Sequence, residues 1–172
     1  MLLTLVTVAA LSALGFAAFN YFHVKKMNEG TAEMSEIASA IRIGANAFIN
    51  YEYKILAIVV VLTAIIMAVV TTWTGAVALV IGSVMSACAG FVGMRIATYA
   101  NVRVANRARE SKNLGKTLQV AFRGGSVVGL CVAGFALLGL GIVVAIFGYG
   151  MGQLSVENFT GVVNWLGVES IP

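Results

Sequence analysis

The sequence predicts an all-α membrane protein, a bundle of about four transmembrane helices plus an amphipathic cytoplasmic helix. Three observations carry that prediction. Of 172 residues, 60% are hydrophobic and 10% are charged, against roughly 45–50% and about 25% in soluble domains. A soluble core of this size buries only about 70% of the surface its unfolded chain exposes, too little to hide so much apolar area. Apolar runs long enough to cross about 30 Å of hydrocarbon recur along the chain, and every Lys and Arg falls in just two segments between them.

The first run, residues 1–22, carries no charge. Lys25 and Lys26 follow it, whereas a secretory signal peptide has its positive charge ahead of a shorter apolar core. His23, just before those lysines, reads as an interfacial residue rather than a ligand. Next, Met34, Ile37, Ile41, Ala45 and Phe48 recur at three- and four-residue spacing. That period predicts an amphipathic helix leading into the second span, its stripe lying on the membrane surface or against other cytoplasmic helices. The second span covers 55–73 and the third 75–94. The uncharged link Thr71–Thr74 allows only a tight reversal, so these two spans form an antiparallel hairpin. Trp73 at that turn, with Tyr51 and Tyr53 at the opposite end, fits aromatic belts at the two interfaces. The fourth span covers 126–149, and the remaining tail, with Glu157, Trp165 and Glu169, is expected to graze the interface.

Charge then sets the orientation. Residues 23–54 carry Lys25, Lys26, Arg42 and Lys54; residues 95–123 carry seven bases, Arg95 through Arg123, against Glu110 alone. Four spans bring both segments out on one side, which the positive-inside rule makes cytoplasmic, with both ends of the chain outside. The basic segment reads first as topology-setting charge. Anionic lipid headgroups, at about 1 kcal/mol per basic residue, are a second use, and contact with a phosphate substrate is the third. A segment tethered between two spans does not bind nucleic acid. If the third helix continues beyond the membrane, Arg95, Tyr99, Arg103 and Arg107, four apart, follow one slowly rotating stripe.

The residues argue against chemistry within this stretch. All seven acids are glutamates, with no aspartate, whereas enzymes that hold Mg²⁺ and phosphate together use carboxylate clusters. No span interior contains an ionisable group, and proton relays inside membranes need them. Cys88 and Cys131, each within an apolar run, read as small buried hydrophobes rather than a disulfide or metal pair. Small residues four apart, Gly82 with Ser86 and Gly125 with Gly129 and Ala133, suggest close helix approach. The glycines from Gly139 onward follow no strand, so they do not form a dinucleotide loop. No catalytic, cofactor-binding or metal residue is assigned within 1–172.

Three stretches resemble the membrane-bound ion-translocating pyrophosphatases, the proton or sodium pumps driven by pyrophosphate hydrolysis. They are EGTAEMSEIASAIRIGANAFINYEYK (Glu29–Lys54), GFVGMRIATYANVRVANRAR (Gly90–Arg109) and LGKTLQVAFRGGSVVGL (Leu114–Leu130). Tyr99 stands where many members carry arginine, and Asn50-Tyr51 where a base commonly precedes Glu52. The resemblance implies that residues 1–172 are a single membrane domain, the first four helices of a polypeptide with about sixteen spans. It implies a hydrolase and ion translocase that uses Mg²⁺, with ligands outside this chain, and K⁺ as a further candidate cofactor. It also implies partners: the remaining helices, a second full-length copy in a homodimer, membrane lipid, and pyrophosphate as substrate. This stretch would belong to an outer supporting ring, in a prokaryotic cytoplasmic membrane or an acidic organelle membrane. From the residues alone, the alternative is a self-contained four-helix scaffold or transporter subunit.

Overall fold

The computed structural model describes residues 2–150. Within them the chain forms α1 (Leu2–Lys25), α2 (Ala32–Val70), α3 (Trp73–Ser111) and α4 (Leu114–Val143), the last continued by a π-helical stretch, Val144–Gly150. All four helices are long and apolar enough to cross a membrane. The tail with Trp165, expected at the interface, lies outside the described residues.

Each junction follows from its residues. Thr31, Thr72 and Asn113 stand in extended conformation at the starts of α2, α3 and α4, and their side chains accept from Met34, Gly75 and Lys116 N–H respectively. These are N-caps that satisfy donors the first helical turn leaves open. The α2–α3 reversal is tight, as predicted, but needs only Thr71 and Thr72; Trp73 and Thr74, read as part of the link, already belong to α3. The α3–α4 turn uses Lys112 in the left-handed region (φ 47°), which ends α3, and Asn113 then starts α4.

In space α3 lies between α2 and α4, while α1 packs on α4 and touches α3. Along the middle of the bundle the buried positions are Ala89, Gly93, Ile96, Ala100 and Arg103 on α3, and Val120, Gly124, Val127, Cys131 and Gly134 on α4; Ala76, Asn106, Gly139 and Gly141 are buried outside these runs. Both sets alternate spacings of four and three. On α1, Ala10, Ala17 and Val24 are buried seven apart. A 3.5-residue period keeps one seam facing its neighbours, the pattern that goes with shallow left-handed crossings in membrane bundles generally. Ala17, Val24, Ile96, Ala100, Val127 and Cys131 meet at its centre.

Small residues set how closely the helices approach, but not at the positions expected. A Cβ at Gly124 would sit 2.8 Å from Ala100 Cβ, and one at Gly134 2.7 Å from Leu14 Cγ. At Gly82, Gly125 and Gly129 a Cβ would meet nothing within 4 Å. The physical reason is phase. One residue turns a helix by about 100°, so the 125–129–133 ladder points away from the seam that Gly124 and Gly134 occupy. Cys131 is buried in that seam as expected, Cys88 is exposed instead, and both are free thiols.

The amphipathic segment is continuous with the second span. Thirty-nine residues of unbroken helix measure about 58 Å against about 30 Å of hydrocarbon. The first half of α2 therefore rises out of the membrane alongside α3, which is equally long, and does not lie on the surface. Its inward face keeps only Met34 and Ala45 of the predicted stripe. Ala38 and Ile49 are buried while Ile37, Ile41 and Phe48 are 63%, 47% and 55% exposed. The inward positions Met34, Ala38, Arg42, Ala45, Ile49 and Tyr53 include an arginine and a tyrosine, which disguise them as polar.

Candidate functional site

The ion-paired side chains of the described residues meet at one end of the bundle, where the α1–α2 turn meets α3. Arg103 occupies a seam position on α3 and is 5% exposed. Its guanidinium donates to Lys25 O at 2.8 Å, Met27 O at 3.0 Å and Tyr99 O at 2.8 Å. Lys25 and Met27 lie at and just beyond the end of α1, where carbonyls lack helical partners and the helix dipole favours a cation. Arg103 thus caps α1 from a neighbouring helix.

Glu29, in the turn, completes the arrangement. Arg42 binds its carboxylate through both terminal nitrogens, at 2.6 Å and 3.1 Å, and Ser35 donates to it at 3.1 Å. Arg103 Nη2 lies 3.1 Å from the same carboxylate. The Arg42 hydrogen bonds, against the opposing effect of burial, and then Ser35 and the two arginine charges hold the Glu29 carboxyl down at about 2 from an ordinary 4.5. The same hydrogen bond raises the pKa of Arg42. Beneath them the Tyr99 ring has Arg42, Lys25 and Arg103 at 5.2, 5.5 and 5.5 Å from its centroid, within cation–π range.

Gly30 lets the turn close over α3. Its φ is +102°, and a Cβ there would stand 2.7 Å from Asn106 Oδ1. Asn106, 3% exposed, donates to Glu110 Oε1 at 3.1 Å and accepts from Arg109 at 3.1 Å. Loop, α2 and α3 are thereby clamped by one carboxylate, two guanidiniums and one amide.

The expected arginine stripe divides by role. Arg103 is buried in the clamp, which a purely topological reading of segment 95–123 does not accommodate. Arg95 is exposed over the Phe91 ring at 4.6 Å, and Arg107 is exposed. His23 is exposed at the end of α1, against Arg123 of α4, in keeping with an interfacial place. Sequence reasoning passed over Glu29, Asn106 and Asn20. Asn20 is 6% exposed inside the first span and donates to Ser126 Oγ at 3.3 Å, a polar tie between membrane helices. Its signal was present: it is the one amide within that apolar run.

Both acids of this arrangement are already engaged. Glu29 is engaged by two arginines, and Glu110 accepts from Asn106. Among the described residues no three His, Cys, Asp or Glu side chains come together. This donor set does not fit a Mg²⁺ ion, which takes an octahedron of oxygens with carboxylate support.

Comparison with known proteins decides the family. The sequence profile described as "Inorganic H+ pyrophosphatase" matches residues 11–169. The chain belongs to the inorganic H⁺ pyrophosphatase family. It is 52% identical over 162 residues to a K⁺-stimulated pyrophosphate-energized sodium pump of Thermotoga maritima, covering 94% of this chain and 22% of that pump. It is 41% identical over 140 residues to K⁺-insensitive pyrophosphate-energized proton pump 2 of Moorella thermoacetica, covering 81% and 20%. To a K⁺-insensitive proton pump of Methanosarcina mazei it is 39% identical over 142 residues, covering 81% and 21%. The chain thus spans about a fifth of the length of these pyrophosphatase relatives and matches their amino-terminal part.

Proposed function

We propose that residues 1–172 are a single structural membrane domain, the first four helices of a pyrophosphate-driven pump with about sixteen spans. The whole pump would hydrolyse pyrophosphate on the cytoplasmic side with Mg²⁺ held by later helices, and move H⁺ or Na⁺ outward. Similarity to a K⁺-stimulated pump and to K⁺-insensitive ones supports K⁺ as a candidate cofactor without choosing between them. A homodimer of the full-length protein, lipid contact and a prokaryotic cytoplasmic membrane complete the reading.

The clamp is the observation that carries the structural role. Its single carboxylate is held by two arginines, one of them also capping a helix end, so its charge is committed to joining α1, α2 and α3. The clamp also supports the orientation. His23 and Arg123, and Arg103 and Met27, meet across helices, so both basic segments leave the same end of the bundle. That end is cytoplasmic by the positive-inside rule, with both ends of the residue 1–172 stretch outside. The self-contained scaffold reading has no comparable observation behind it.

The test compares pyrophosphate hydrolysis by the full-length product of the native reading frame with that of residues 1–172, both in detergent with Mg²⁺. Activity confined to the longer polypeptide is the expected result. Hydrolysis by residues 1–172 alone overturns the structural assignment.

A further inference from the structure

We propose that the cytoplasmic end of the α1–α4 seam binds an anionic phospholipid, its phosphate among Arg107, Lys116 and Arg123 and an acyl chain along Phe16, Phe19 and Phe122. Two adjoining concavities carry this inference. The first is a cleft of about 330 Å³ whose walls include Arg103, Arg107, Lys116, Arg123 and one acid, Glu110. Arg103 is consumed by the clamp and Glu110 accepts from Asn106. Among the described residues the ion pairs are those of Glu29, and no hydrogen bond engages the Arg107 guanidinium or the Lys116 ammonium. Arg123 meets the His23 imidazole rather than a carboxylate. Three cations therefore face one cleft with a single acid between them.

The second is a groove of about 670 Å³ between α1 and α4 that shares His23, Gln119 and Arg123 with the cleft. Beyond them its walls are Phe16, Phe19, Leu118 and Phe122, with Gly115 and the pair Asn20 and Ser126, whose polar groups are bonded to each other. The three phenylalanines are 57%, 64% and 72% exposed. Phe16 lies seven residues inward of His23, about 10 Å deeper along α1. A basic cleft at the interface thus opens into an aromatic groove that descends into the hydrocarbon layer.

Charge complementarity selects an anion, and the joined groove selects one that carries an acyl chain. Free phosphate uses only the upper half. The inference needs membrane insertion of α1 and α4 but not the pump reading, so each stands or falls separately.

The test uses the full-length polypeptide carrying this chain, purified in detergent. It is titrated with dioleoylphosphatidylglycerol, dioleoylphosphatidylcholine and inorganic phosphate, with affinity read by thermophoresis and bound species by native mass spectrometry. Phosphatidylglycerol should bind more tightly than either of the others. R107Q, K116Q and R123Q should each weaken it about fivefold, while R107K and R123K retain it. Phe19→Ala with Phe122→Ala should weaken phosphatidylglycerol and leave phosphate unchanged. Equal binding of the two lipids, phosphate binding as tight as phosphatidylglycerol, or unchanged affinity in the glutamine variants overturns the proposal. So does absence of lipid binding by the folded protein, which would show the groove covered by other helices.

Discussion

Replacing Glu29 with glutamine is the sharpest perturbation of the clamp, because it keeps shape and acceptor oxygen while removing the charge. The carboxyl titrates at about 2 rather than 4.5 in the folded chain. Each pH unit of displacement corresponds to about 1.4 kcal/mol, so the carboxylate form contributes about 3 kcal/mol to stability. Some 21% of the side chain remains accessible, and solvent screening lowers the expected loss to about 2 kcal/mol. The sign is fixed by the direction of displacement. Because the folded carboxyl is held below its ordinary value, the contribution is complete above pH about 4.5 and disappears as pH falls toward 2. Thermal unfolding of the full chain in detergent, followed by helical ellipticity from pH 7 to pH 2.5, reads this directly. Glu29→Gln should be less stable at pH 7 and converge on the wild type at the acid end. In an Arg42→Gln background its effect should shrink, since the two side chains act through one interaction. Equal midpoints at pH 7, or a difference that does not change with pH, would refute the reasoning.

The remaining predictions concern the backbone and the seam. Gly30→Ala places a side chain at φ +102° against Asn106 and Met34; a loss of about 1–3 kcal/mol is expected in the same unfolding assay. Gly134→Val should lower the unfolding midpoint by driving Leu14 and α1 from α4, whereas Gly125→Ala, with open space around it, should leave the midpoint within experimental scatter. Asn20→Leu leaves Ser126 without its membrane-helix partner. A loss of about 0.6 kcal/mol is expected, and an increase in stability would show that the tie is not structural.

Much of the fold was legible because lipid imposes a simple rule. A span must be apolar and about twenty residues long, so the spans, the tight uncharged reversal and the gathering of bases could all be read from composition. Phase around each helix was not. The sequence marks Ile37, Ile41 and Phe48 as one face, yet the inward face of α2 runs through Ala38, Arg42 and Ile49, because Arg42 must reach Glu29 and Tyr99. In the seam, a four-residue ladder at Gly125 looked as persuasive as Gly124, and only the alternation of four and three across several turns separates them. Arg103 was hidden for a related reason. Among seven bases in a short segment nothing local marks the one that turns inward, and its partners are main-chain carbonyls of α1, which carry no sequence signal. Gly30 was the available clue, a glycine directly after Glu29 and before a capping threonine.

The most direct test of the architecture is sidedness. With Cys88 and Cys131 replaced by alanine, single cysteines at Asn28 and Lys112 are exposed to a membrane-impermeant thiol reagent in sealed vesicles of each orientation. The account predicts that both positions react from the cytoplasmic face and neither from the other. Reaction of the two from opposite faces would contradict it.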